Sequence, residues 1–132
     1  MAASASFSAT PKTWAKAISA TADGTPTSHT PTGGTVTVVT GASTGTKVEE
    51  IAVQGIDSAA DAAVVTLWLH DGTTYFGFDQ FKRLGTSATT TAPGERNVRS
   101  YGCLIVANGW TLQASCSVAS QLIDVVAFGG DF

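Results

Sequence analysis

The sequence predicts an all-β protein, an antiparallel β-sandwich of about eight strands with jelly-roll or other Greek-key connections. Three observations predict it. Short apolar runs recur between turn signals at nearly regular spacing, residues 110–118 alternate cleanly between apolar and polar side chains, and no stretch has a convincing helical period. A small β-barrel is the alternative architecture, and the sequence does not give the strand order.

The central element is a hairpin expected over residues 63–81, where Asp71-Gly72 separates two apolar runs. An Asp-Gly pair favours a two-residue type I′ turn, and this turn would set Trp68 opposite Tyr75. The mixed face that carries these two aromatic residues is expected to meet solvent or a partner. The other face is expected to enter the core, with Val65, Leu67, Leu69, Phe76 and Phe78.

Six further strands are expected from β-branched and alternating segments, at residues 12–20, 35–40, 47–54, 98–107, 110–118 and 121–128. Val48 and Ile51 are three residues apart, which breaks the period of two and predicts a β-bulge near Glu49 and Glu50. Asn108-Gly109 is expected to form a turn. The core positions expected in the last two strands are Trp110, Leu112, Ala114, Cys116, Val118, Ile123, Val125 and Ala127.

The chain divides into an N-terminal arm or loop at residues 1–33, with one possible strand, and a single sandwich domain at residues 34–132. The N-terminal segment is interpreted either as an exposed loop or as an arm laid across a neighbouring subunit. The polar loop over residues 85–96 is long for a compact domain, and such loops are functional, disordered or buried in an assembly.

Charged residues make up only 13% of the 132 residues, about half of the usual share. Thr, Ser, Ala and Gly must therefore cover the surface, a composition typical of β-rich assembly proteins. The net charge of −3 and the scattered basic residues indicate no nucleic-acid partner. No apolar run is long enough for a membrane helix, so no membrane partner is expected.

The N-terminus has no basic start followed by an apolar run, so we expect no signal peptide and synthesis in a cytoplasm. Cys103 and Cys116 are then expected to be reduced and to act as small core residues, with a disulfide as the alternative.

The glycine-rich segment at residues 38–47 resembles the nucleotide-binding opening of short-chain dehydrogenases, but the helix that this motif needs does not follow. His70 and Asp71 are neighbours on a strand and point to opposite faces, so they do not form a relay pair. No two carboxylates are placed for acid–base work. We therefore expect no catalytic residue, no cofactor, no metal site and no enzymatic activity.

Four segments carry a resemblance to a known group of proteins: KVEEIAVQ, LWLHDGTTYFGFDQF, NGWTLQAS and the closing VVAFGGDF. Over residues 46–132, about two thirds of the chain, the sequence resembles small structural proteins encoded among the virion genes of tailed bacteriophages. The resemblance implies a β-sandwich without enzymatic activity that attaches to the phage particle.

The resulting expectation is a decoration, or cement, protein that binds the major capsid protein on the outside of the head as a homotrimer, after synthesis in the host cytoplasm. The alternative is a receptor- or glycan-binding module of a tail fibre or baseplate, with Trp68 as the sugar platform. The candidate interface residues are Phe7, Trp14, Trp68, Tyr75, Gly85, Arg96 and Phe132.

Overall fold

The computed structural model describes residues 10–18, 30–31 and 33–132, which form eight β-strands and contain no helix. Every strand pair is antiparallel, as the alternating sequence pattern predicts. The strands are β1 Thr10–Ile18, β2 Val36–Thr40, β3 Thr46–Gly55, β4 Ala63–His70, β5 Tyr75–Arg83, β6 Arg96–Val106, β7 Thr111–Cys116 and β8 Ile123–Asp131.

The strands form two four-stranded sheets, a first sheet with the order β1-β8-β3-β6 and a second sheet with the order β2-β7-β4-β5. Consecutive strands pass from one sheet to the other except at the β4–β5 hairpin. This strand order is that of a jelly roll, two interlocked Greek keys packed face to face. The predicted β-sandwich is confirmed, and the chain does not adopt the alternative barrel.

The core lies between the two sheets and is built from side chains that alternate inward along each strand. The inward positions predicted within β7 and β8 are confirmed, and Trp110 and Val118, which flank β7, are partly buried and pack against the core. Leu112, Ala114, Val125 and Ala127 are each 0% exposed, and Cys116 and Ile123 are each 1% exposed.

The predicted β-bulge in β3 is confirmed, because the pairing of β3 with both neighbouring strands shifts between Val48 and Glu50. The extra residue returns Ile51 to the core, where it is fully buried. Opposite the bulge, a Cβ atom at Gly129 would lie 1.9 Å from the carbonyl oxygen of Lys47, so a side chain cannot fit there.

The predicted turn of the central hairpin is wrong: His70 pairs with Tyr75, so the loop contains four residues rather than two. A type I′ turn needs a positive φ at both central residues, and only Gly72 has one, at 102°. The Asp71 carboxylate instead accepts hydrogen bonds from the backbone N–H groups of Thr73 and Thr74, at 2.8 and 2.7 Å. These two hydrogen bonds favour the four-residue loop over the predicted two-residue turn.

The longer loop and a β-bulge opposite Leu67 change which aromatic residues of β5 face the core. Phe81 lies opposite Val65 and is 1% exposed, whereas Phe76, predicted to be a core residue, is 41% exposed. Phe78 is unpaired at the bulge but still packs against the core. The core positions predicted for β4 are confirmed at Val65 and Leu67 and only in part at Leu69, which is half-buried.

The possible strand of the N-terminal segment lies at residues 10–18, where β1 pairs with β8 at the edge of the first sheet. Ile18 enters the core, and Trp14 packs against it from the side. Residues 1–9, 19–29 and 32 of the predicted arm lie outside the described residues.

Both cysteines are free, which rules out the alternative of a disulfide between them. Cys116 is buried, as expected. Cys103 is exposed, so its predicted core position is wrong. Its neighbour Leu104 is buried in the core, so the alternation along β6 turns the Cys103 side chain outward.

Candidate functional site

Three loops meet at one end of the sandwich because β3, β5 and β7 all finish there. These loops are residues 56–62, 84–95 and 117–122, and each presents one aliphatic side chain to solvent. Leu84 is 69% exposed, Ile56 51% and Leu122 45%, the highest values among large apolar residues in the described part of the chain. We call Ile56, Leu84 and Leu122 the loop-end surface.

Two members of the loop-end surface are joined directly through the backbone. The N–H group of Ile56 donates a hydrogen bond of 2.9 Å to the carbonyl oxygen of Leu122. The side chain of Gln121 is 4% exposed and accepts a 2.8 Å hydrogen bond from the backbone N–H of Asp61. The loops at residues 56–62 and 117–122 therefore hold each other in place.

The long loop at residues 84–95 is anchored to the loop at residues 56–62 by a buried ion pair. The Arg83 guanidinium contacts the Asp57 carboxylate, and the two residues are only 4% and 5% exposed. The N–H of Ala88 donates to the carbonyl oxygen of Asp57 at 2.9 Å, and the hydroxyl of Ser87 accepts from the N–H of Ala60 at 3.1 Å. The loop predicted to be functional, disordered or assembly-bound is thus folded against its neighbour.

Two glycines permit this close packing. A Cβ atom at Gly94 would lie 2.0 Å from the carbonyl oxygen of Gly55, so only glycine fits between the loop and β3. Gly85 has a φ of 89°, a conformation that side chains rarely adopt. Gly85 itself, a predicted interface residue, is half-buried against residues 60–62.

Glu95 closes the long loop at its base. Its carboxylate accepts hydrogen bonds from the backbone N–H groups of Leu84 and Thr86, each at 2.9 Å. Burial raises the pKa of Glu95, but the hydrogen bonds from Thr86 and Leu84 outweigh that effect and lower the pKa below its ordinary value. The carboxylate form therefore stabilises the loop.

Acidification should release this contact. Because the folded-state pKa of Glu95 is lowered, its contribution is present at neutral pH and is lost as the pH falls through that pKa, below 4.5. We expect the amide signals of Leu84 and Thr86 to titrate together below pH 4.5 in NMR spectra. In the Glu95→Gln variant, these two signals should not titrate in that range. An unchanged titration in the variant would contradict the assignment.

The opposite end of the sandwich carries an aromatic cluster. Phe76 stacks on Trp110 with ring centroids 6.1 Å apart and an interplanar angle of 18°, and Phe76 remains 41% exposed. His70 and Tyr75 lie beside each other with ring centroids 4.2 Å apart. We call Phe76 and Trp110 the aromatic end.

Trp68 was expected on an open face together with Tyr75, and the structure places it differently. Trp68 pairs with Gly77 rather than with Tyr75, although the Trp68 and Tyr75 rings still meet edge to face at 6.2 Å. The indole is 3% exposed, and its Nε1–H donates a 2.9 Å hydrogen bond to the hydroxyl of Ser115. Trp68 is thus a buried residue on the outer side of the second sheet, and its surface is closed to a sugar ring.

The remaining predicted interface residues do not come together in the structure. Trp14 is half-buried at the edge of the first sheet, and Arg96 is exposed at the start of β6. Phe132 lies against Gly45, to whose carbonyl oxygen it donates a 3.1 Å backbone hydrogen bond. Phe7 lies outside the described residues. Their role in an interface stays a prediction.

Sequence reasoning missed all three residues of the loop-end surface. The signal available was one or two aliphatic residues larger than alanine in each of three otherwise small or polar loops. An isolated exposed apolar residue is normal in any protein. It becomes informative only when the strand order brings three of them to one end.

Within residues 10–18, 30–31 and 33–132, no group of three or more His, Cys, Asp or Glu side chains is placed to hold a metal ion. The same part of the chain contains no helix that is long and apolar enough to span a membrane.

No protein-family model matches the sequence, and no curated protein matches it at a significant level.

Proposed function

We propose that this protein is a structural component of a tailed-bacteriophage virion, a decoration protein that binds the major capsid protein on the outer surface of the head. The observation that carries the proposal is the loop-end surface, where three loops bring Ile56, Leu84 and Leu122 to one end of a jelly roll.

The loop-end surface suits a permanent protein contact. Burying one Leu or Ile side chain contributes roughly 1.5–3 kcal/mol, so three partly exposed ones offer several kcal/mol if a partner covers them. Large exposed apolar side chains at one end of a folded domain are available for such a contact. The loops are already held by the Arg83–Asp57 pair and by Gln121, so little ordering entropy would be lost on binding.

The remaining support comes from the fold and from the sequence. The jelly roll is an architecture that viral capsid proteins share with lectins and other families, so it is compatible with the proposal without selecting it. The assignment to a phage depends on the resemblance of residues 46–132 to phage structural proteins. Attachment to a capsid requires no catalytic group.

The test is binding to purified capsids that lack the protein. We expect Leu84→Glu to weaken binding at least about tenfold, because a carboxylate in an apolar contact would have to lose its water. The control is Phe76→Glu, an equally drastic change at a residue 41% exposed at the opposite end, which should bind as the wild type does. Equal binding by both variants and the wild type would contradict the proposal, as would finding the protein only in the tail.

The second candidate function is a receptor- or glycan-binding module of a tail fibre or baseplate, and the aromatic end favours it. A partly exposed stacked pair such as Phe76 and Trp110 offers a flat apolar surface on which a sugar ring can pack. This candidate predicts the reverse outcome. Phe76→Ala would lose binding to host surface polysaccharide, and Leu84→Glu would retain it.

A further inference from the structure

The turn between β6 and β7 exposes the dipeptide Asn108-Gly109 beside the aromatic end. The backbone N–H of Trp110 donates a 3.0 Å hydrogen bond to the carbonyl oxygen of Ala107 and closes the turn. Gly109 has a φ of 84°, and no other residue of the turn has a positive φ, as in a type II turn whose central residues are Asn108 and Gly109. Both central residues are exposed to solvent.

The side chain of Asn108 and the backbone N–H that follows it are not held by other groups. Within the part of the chain that the structure describes, the Asn108 carboxamide makes no hydrogen bond, and the N–H of Gly109 donates none. A Cβ atom at Gly109 would meet nothing within 4 Å. Because glycine has no side chain, the carboxamide carbon of Asn108 can approach this N–H without steric hindrance.

We infer that Asn108 is a site of spontaneous deamidation. The backbone nitrogen of Gly109 attacks Cγ of Asn108, its proton passes to hydroxide, and the Cγ–Nδ2 bond breaks with release of ammonia. The cyclic succinimide is then opened by water. Cleavage at Cγ leaves aspartate, and cleavage at the backbone carbonyl carbon leaves isoaspartate, in which the chain runs through Cβ and Cγ. Water and hydroxide are the only co-reactants, and no atom is oxidised or reduced.

The other asparagine of the chain is protected by its position. Asn97 is half-buried in β6 and pairs with Val53 of β3. The residue that follows it is Val98, whose β-branched side chain crowds the N–H that would have to attack. Cyclisation at Asn97 also requires rotation of a backbone that is held in the first sheet. Asn97 should therefore remain intact in the folded protein.

The Asp71-Gly72 turn could form the same succinimide, but its carboxylate is held in the unreactive form. It accepts hydrogen bonds from the backbone N–H groups of Thr73 and Thr74. The hydrogen bonds from Thr74 and Thr73 lower the pKa of Asp71, so the group is charged at neutral pH. A charged carboxylate resists attack by a nucleophile. Among these three positions, the structure thus favours reaction at Asn108.

Deamidation makes the aromatic end more acidic. The two turns lie side by side, because a Cβ atom at Gly72 would be 3.9 Å from the carbonyl oxygen of Gly109. A carboxylate at position 108 therefore adds a second negative charge near that of Asp71. The modified end should disfavour an anionic partner. This inference does not depend on either proposed function.

The isoaspartate product also changes the backbone beside Trp110. It adds one carbon atom to the chain between Ala107 and Trp110, whose hydrogen bond closes the turn. The carbonyl oxygen of Trp110 accepts a 2.9 Å hydrogen bond from the N–H of Gly41, and its ring stacks on Phe76. We expect the longer backbone to shift the Trp110 ring relative to Phe76.

Incubation of the purified protein at several pH values from neutral to mildly alkaline, followed by trypsin digestion and mass spectrometry, tests the inference. Cleavage after Arg99 gives the peptide 100–132, in which Asn108 is the only asparagine, and Asn97 falls in the peptide 97–99. The peptide 100–132 should gain the mass difference between OH and NH₂ and separate into aspartyl and isoaspartyl forms. The rate should rise with pH, because the attacking nitrogen must lose its proton. The peptide 97–99 should stay unchanged.

Asn108→Gln is the matched control, because its extra methylene group requires a larger ring. This variant should deamidate at position 108 at least about tenfold more slowly. An unchanged peptide 100–132 in the wild type, or earlier conversion of Asn97, would overturn the proposal. An equal mass gain in Asn108→Gln would do the same, since it would assign the change to a glutamine. In NMR spectra of the isoaspartyl form, an unmoved indole signal of Trp110 would overturn the predicted effect on the aromatic end.

Discussion

Replacing Arg83 by methionine should lower the free energy of unfolding by about 3–5 kcal/mol, a large part of the total stability of a domain of this size. The Asp57 carboxylate is 5% exposed and has the Arg83 guanidinium as its ion-pair partner. In the variant, this carboxylate would remain buried without a compensating charge, and that cost exceeds the loss of the contact itself.

Several buried polar atoms of the Asp57–Arg83 ion pair lack hydrogen bonds, and this predicts the stability of a double variant. Within the described residues, Oδ2 of Asp57 and Nε and Nη1 of Arg83 have no hydrogen-bond partner. An ion pair with unpaired buried atoms stabilises the fold less than a fully hydrogen-bonded pair does. The double variant Asp57→Leu with Arg83→Met, which replaces both charges by apolar side chains, should therefore recover most of the lost stability.

Urea denaturation measures these differences. The control is Lys82→Met, which removes the neighbouring cation of β5 at an exposed position and should change stability by less than about 0.5 kcal/mol. The explanation is contradicted if Arg83→Met costs no more than Lys82→Met, or if the double variant is no more stable than the single one.

The sequence could predict the parts of the fold that depend on local periodicity. Alternation over residues 110–118 assigns Leu112 and Ala114 to the core because the side chains of a strand point to opposite faces in turn. The break of that period between Val48 and Ile51 predicts the bulge for the same reason. Neither prediction requires knowledge of any other strand.

The candidate site could not be predicted in this way, because it depends on residues that are distant in sequence. Asp57 and Arg83 appear in the sequence as ordinary charged residues beside loops, and only the strand order buries them against each other. Ile56, Leu84 and Leu122 likewise belong to three separate loops. The hairpin turn failed for a different reason: the Asp71 carboxylate competes for the backbone N–H groups that a shorter turn would use.

The burial of Trp68 leads to the second large effect. Replacing Trp68 by alanine should lower the free energy of unfolding by about 3–5 kcal/mol, the usual cost of removing a buried aromatic side chain. The indole is 3% exposed and touches both Tyr75 and the position of Gly77, where a Cβ atom would lie 3.5 Å from the ring. Loss of the indole would also remove the hydrogen bond to Ser115, which is fully buried.

Denaturation of three variants distinguishes the loss of a buried aromatic ring from the loss of an exposed one. Trp68→Phe keeps most of the ring and loses the hydrogen bond, so it should cost about 1–2 kcal/mol. Phe76→Ala removes an aromatic ring that is 41% exposed and should cost clearly less than Trp68→Ala. If Trp68→Ala instead were as stable as the wild type, the indole would have to lie in solvent. The open face of Trp68 and Tyr75 that the sequence predicts would then again be the candidate surface for a partner or a sugar.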